Sequence, residues 1–183
     1  MTLSAAYILL GIVLSLPGLA LVWGGAPVQN FLRQFPRSFP AAFLCFGGGA
    51  AWFLWIVSQL GEADLAGFPR SWLLGIFGVT AILSFIVLKD LLAVRGLAVL
   101  LLLSARVLLD VGYMQLPYSF VLALTCYLFV VLGIWWGAAP YIFRDWSGWI
   151  LEKPLRHRLV GLLLLALGLA NFISFAFVPT PVS

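Results

Sequence analysis

The chain has 183 residues, 64% apolar and only 9% charged, with a net charge of +4 and a mean hydropathy of +1.15. Soluble domains carry nearer a quarter charged residues, so a water-exposed fold would lack polar surface. The positive charge does not indicate nucleic acid either, because the basic residues sit in short segments between long apolar runs, a pattern that sets membrane orientation.

Six apolar runs follow one another, each near the roughly 20 residues needed to cross about 30 Å of hydrocarbon. In chain order they cover about 3–23, 41–60, 72–88, 91–111, 118–138 and 159–178. None alternates with period two, which selects helices over a closed barrel. Connectors as short as 112–117 imply antiparallel neighbours. The expected fold is an all-α integral membrane protein, a single domain with a bundle of six transmembrane helices arranged as three helical hairpins. The first run contains Pro17-Gly18, where a kink is expected. No Lys or Arg precedes this run, so it reads as a retained span and not as a cleaved signal peptide.

Charge separates the connectors into two sides. Those after the first, third and fifth runs hold Arg33 and Arg37, Lys89 and Arg95, then Arg144, Lys153, Arg156 and Arg158. The opposite side has Arg70 in a loop, and Arg106 lies inside a run. The positive-inside rule puts the three basic connectors in the cytoplasm, with both termini extracytoplasmic in a bacterial inner membrane. Trp23, Trp72, Trp135 and Trp136 fall at run boundaries, where an amphipathic ring suits the headgroup region. Trp23-Gly-Gly-Ala-Pro27 and Trp136-Gly-Ala-Ala-Pro140 end the first and fifth runs alike. The echo reads either as an internal repeat or as convergence on common helix-end signals.

Polar residues inside the runs are the candidate sites. An arginine at the centre of the bilayer costs about 2.5–3.5 kcal/mol on insertion scales. Arg106 is therefore expected to face the bundle, pair with Asp110 one turn on, and find a further acceptor. Asn171 is the candidate for that bond, with Ser174 beside it on the sixth run; together these four residues form an expected intramembrane polar cluster. Gly161 and Gly168 share a neighbouring face of the sixth run, and Gly47, Gly48 and Gly49 sit together in the second. Small residues let spanning helices approach closely, so all five are expected to serve helix packing. The connector 141–158 mixes aromatic and charged residues and reads in part as an amphipathic helix lying in the interface. Its Arg144, Lys153, Arg156, His157 and Arg158 are candidates for binding anionic headgroups.

The sequence offers no catalytic constellation. His157 is the single histidine, and no nucleophile or carboxylate set accompanies it. Cys45 and Cys126 each lie inside an apolar run and read as small buried hydrophobes, without metal-ligand spacing. No metal or other cofactor is expected. The leading expectation is a structural or accessory subunit of a membrane-embedded assembly. Its partners would be the bilayer, anionic lipids, and other membrane subunits or further copies of itself. The alternative is a small transporter or channel with a polar pathway near Arg106 and Asp110. A membrane enzyme acting on lipid or quinone ranks third, since paired carboxylates and histidines are lacking.

Overall fold

In a computed structural model, residues 2–61, 63–65, 67–88, 90–113, 115 and 118–178 are described. Among them there is no strand. Six helical segments are long and apolar enough to cross a membrane: Leu3–Trp23, Phe39–Ser58, Arg70–Val87, Leu92–Gly112, Phe120–Ala138 and Pro154–Ala176. The chain is an all-α membrane protein.

Local chemistry sets the helix ends. Helix α1 (Leu3–Trp23) starts where the Thr2 hydroxyl accepts the Ala5 amide at 3.2 Å. It runs unbroken through Pro17 and stops at Gly24, three residues before Pro27. Helix α2 (Ala26–Gln34) follows at once and was not anticipated in the connector. Val28, Phe31 and Leu32 recur on one of its sides, with Gln29, Asn30 and Arg33 on the other. The second span is built in three pieces: α3 (Phe39–Ala42), a π-helical turn (Phe43–Gly47) and α4 (Gly48–Ser58).

Helices α5 (Arg70–Val87), α6 (Leu92–Gly112) and α7 (Phe120–Ala138) are the next three spans. Leu91, which opens α6, has φ 63°, a left-handed conformation that costs a β-carbon-bearing residue about 1–2 kcal/mol. Helix α8 (Tyr141–Glu152) occupies most of the connector read as amphipathic, and α9 (Pro154–Ala176) is the last span. The sixth span thus starts earlier than the hydropathy indicates. Pro154 stands at the first helical position, where its fixed φ favours initiation and its missing amide costs nothing. Arg156, His157 and Arg158 consequently ride on the first turns of α9 and are not part of a connector.

The chain divides into two compact units. The first comprises Met1–Arg33, Ser104–Val131 and Asp145–Ser183. In it α1 and α9 pack antiparallel along their length. A β-carbon added at Gly161 would lie 2.8 Å from the Gly18 carbonyl oxygen, and one at Gly168 would lie 3.1 Å from that of Gly11. The Phe172 ring covers Gly11. The buried side of α1 (Leu3, Ala6, Tyr7, Leu10, Gly11, Leu14, Gly18, Leu21) repeats every three or four residues, as one helix face must.

The second unit comprises Gln34–Leu103 and Leu132–Arg144. There α4 and α5 are antiparallel neighbours, joined edge-to-face by Phe53 and Phe77 with ring centroids 5.0 Å apart. Phe46 of the π-helical turn meets Phe85 in the same way at 5.4 Å. The backbone of Cys45 and Phe46 rests on Gly96 of α6, and Gly49 rests on Val99. Gly133 of α7 takes Leu102 of α6, where a β-carbon would lie 2.8 Å from Leu102 Cγ. Ala42, Leu92 and Ala93 form a buried cluster, with Phe35, Phe46 and Phe85 packed against it.

Candidate functional site

The most completely buried polar groups lie in the first unit, toward the end of α9 and the start of α7. Asn171 is 0% exposed. Its Nδ2 donates to the Leu167 carbonyl at 2.8 Å and to the Thr125 hydroxyl at 3.2 Å. Thr125 in turn donates to the Val121 carbonyl at 2.9 Å. Tyr7, also 0% exposed, donates its hydroxyl to the Tyr118 carbonyl at 2.5 Å. Ser174 donates to the Ala170 carbonyl, one turn back on α9. These bonds hold α1, α7 and α9 at one junction, where the buried Tyr7, Thr125 and Asn171 donors each have an acceptor. The Asn171 Oδ1 and Ser15 Oγ atoms are buried without partners.

Only Asn171 and Ser174 of this junction were legible as candidates. Tyr7 and Thr125 were missed. The signal for Tyr7 was present, since it shares helical spacing with Leu3 and Leu10, and a phenol inside a span needs an acceptor.

Arg106 and Asp110 are elsewhere. Ala98, Ala105 and Leu108 are the buried residues of α6 nearest them, at 1%, 0% and 3% exposure. Arg106 follows Ala105 by about 100° around the helix axis and so points away from that buried side. Both charged residues are exposed. Among the described residues no ion pair joins them, and Arg106 makes no bond to Asn171. The arginine-first order at this spacing is the weaker one along a helix, in keeping with that separation. Asp110→Ala and Arg106→Leu should therefore change stability independently. A double-mutant cycle by thermal unfolding in detergent, at a dilution where the chain is monomeric, should give a coupling under about 0.5 kcal/mol. A coupling above about 1 kcal/mol would mean that the two side chains pair after all.

Two of the five expected headgroup residues serve helix ends instead. The His157 Nδ1 lies 3.0 Å from the Leu21 carbonyl, which can only accept, so Nδ1 carries the proton. Leu21 is in the last turn of α1, where carbonyls lack partners within their own helix. The Arg156 guanidinium does the same for α8. It donates to the Trp149 carbonyl at 3.1 Å and to Glu152 at 2.9 Å, and lies 4.3 Å from the centroid of the Trp149 ring. Arg144 is exposed and partnered. Lys153 and Arg158 are exposed.

The glycines divide similarly. Gly161 and Gly168 lie in the α1–α9 contact, and Gly49 lies against Val99. A β-carbon on Gly47 would meet the Phe85 ring at 3.7 Å, ordinary contact, and Gly48 has open space beside it. In the second unit a cleft of about 250 Å³ runs between α4 and α5, walled by Phe46, Phe53, Leu54 and Phe77. Thr80 and Ser84 also line it, but their hydroxyls donate to α5 carbonyls at 2.7 and 2.8 Å. Among the described residues no three His, Cys, Asp or Glu side chains gather as a metal site.

Helix α5 is the least engaged span. None of its residues is buried, and Trp72, Ile76, Val79, Ile82 and Ile86 are all exposed. Gly75 and Gly78 have nothing within 4 Å of an added β-carbon. The chain matches no family model, no curated protein and no solved structure with which it was compared.

Proposed function

We propose that this protein is a structural or accessory subunit of a membrane-embedded assembly. The observation that supports this reading is α5, a full span that buries no residue of its own and leaves Gly75 and Gly78 open. Glycines exposed on a spanning helix permit a close approach by another helix, and van der Waals packing drives such association in lipid. The proposed orientation puts the basic connectors in the cytoplasm of a bacterial inner membrane and both termini outside. A reporter fused after Ser183 that fluoresces from the cytoplasm would overturn that orientation.

Native mass spectrometry after extraction in mild detergent tests the assembly. A defined stoichiometric partner is expected, lost in a Gly75→Leu/Gly78→Leu variant whose thermal midpoint is unchanged. A wild-type chain that runs alone at every concentration would sink the reading. Anionic lipid binding is proposed at Lys153 and Arg158. Phosphatidylglycerol retained in the same spectra should decrease when both are changed to Gln.

The alternative, a small transporter or channel, draws support from Arg106 and Asp110 themselves. Two charged side chains stand exposed and unpaired on a spanning helix, where a water-filled path would solvate them. It predicts a monomer or homo-oligomer with solute flux in reconstituted vesicles, abolished by Arg106→Leu.

A further inference from the structure

On the outward side of α6, in the first unit, Arg106 and Asp110 are exposed four residues apart, and the 72%-exposed Tyr113 stands one residue beyond the end of the helix. At about 100° per residue the two charged residues fall within about 40° of arc, one stripe on one face. The stripe carries one positive and one negative charge, and among the described residues neither is paired within the chain. Asp110 lies about 6 Å farther along the axis than Arg106, a span that an arginine side chain reaches. A lone helix face of this kind is complementary to itself. A two-fold axis along the membrane normal would bring Arg106 of one copy to Asp110 of the other, and the reverse contact would form at the same time.

We propose that this stripe is a homodimer interface, with a second copy of this chain as its partner. Each dimer would contain two Arg106–Asp110 pairs between protomers. The buried side of α6 (Ala105, Leu108) stays committed to the protomer, so the two roles use different faces of one helix. Interhelical pairing also relieves the cost of an arginine placed about 9 Å, six residues, inside the last residue of its span. The proposal is independent of the exposed α5 face and does not require it.

Charge exchange is the test, read as the monomer–dimer equilibrium of the full chain in mild detergent by native mass spectrometry. Arg106→Asp alone and Asp110→Arg alone place like charges across the axis, and each should weaken the dimer at least tenfold. The double exchange Arg106→Asp/Asp110→Arg restores opposite charges and should return the dissociation constant to within about threefold of wild type. Where a single exchange does not fold, judged by its thermal midpoint, Arg106→Gln/Asp110→Asn serves instead and should weaken the dimer at least tenfold. A wild-type chain that is monomeric at all concentrations overturns the proposal and assigns Arg106 to the lipid phosphates. Single exchanges that leave the dimer intact, or a double exchange that fails to rescue it, overturn it as well. Loss of a different subunit on Gly75→Leu/Gly78→Leu, with the dimer kept, would separate this interface from the α5 face.

Discussion

Gly161→Leu is expected to cost roughly 3 kcal/mol or more, which would show as a large fall in the thermal midpoint of the detergent-solubilised protein. Opposite Gly161 lie the Gly18 carbonyl oxygen at 2.8 Å, Leu21 Cβ at 2.9 Å and Val22 Cγ2 at 2.9 Å, measured from the position a β-carbon would take. The first of these is backbone and cannot rotate aside. A side chain here must therefore push α1 and α9 apart, which loosens the Gly168–Gly11 approach one turn and more away. The His157 bond to Leu21, one turn toward the other end, would lengthen with it. Gly161→Ala should fall between, because improved helix propensity of about 1 kcal/mol offsets part of a 1–3 kcal/mol packing cost. A midpoint that rises for both variants would show that the two helices do not meet at this position.

Gly96→Val should be as damaging in the second unit. A β-carbon at Gly96 would fall 2.5 Å from the Cys45 carbonyl carbon and the Phe46 Cα, again backbone. The π-helical turn leaves no slack there, since a β-carbon on Gly49, one turn on, would lie only 3.1 Å from Val99 Cγ1. We expect a loss of roughly 3 kcal/mol, with Gly96→Ala losing about 1–2 kcal/mol. By contrast Gly75→Ala, with open space beside it, should be neutral or slightly stabilising in the isolated chain. Thermal unfolding of the three variants side by side gives the ranking, and equal midpoints for Gly96→Val and Gly75→Ala would refute it.

The spans were legible because hydrocarbon imposes a length, and apolar runs of that length can be read off directly. Trp23, Gly24 and Pro27 mark the end of the first helix in the sequence as they do in the structure. The start of the sixth was not legible, because hydropathy falls at Arg156 and Arg158 although the backbone is already helical from Pro154. Helix α2 was overlooked for a related reason. It is short, and its apolar side has only Val28, Phe31 and Leu32, too few to register beside neighbouring spans. For the sites, residue type was a fair guide to polarity but a poor guide to facing. Asn171 and Arg106 looked like partners because both are polar and lie in the C-terminal halves of their spans. Which face each occupies depends on the buried stripes of α6 and α9, and a run of leucines conceals those stripes because every face is apolar. Tyr7 was hidden in the same way.

The three Arg156 and His157 bonds at the start of α9 also distinguish the folded chain from the unfolded one. In the unfolded chain Arg156 is a charge with neither the Trp149 carbonyl nor Glu152 held beside it. Once α8 has wound, Glu152 neutralises it and the Trp149 carbonyl holds it, and His157 is withdrawn onto Leu21. The folded protein therefore presents a smaller positive surface at this end than the unfolded chain does. A bare positive charge of the unfolded sequence thus becomes, on folding, a fastening between α8 and α9.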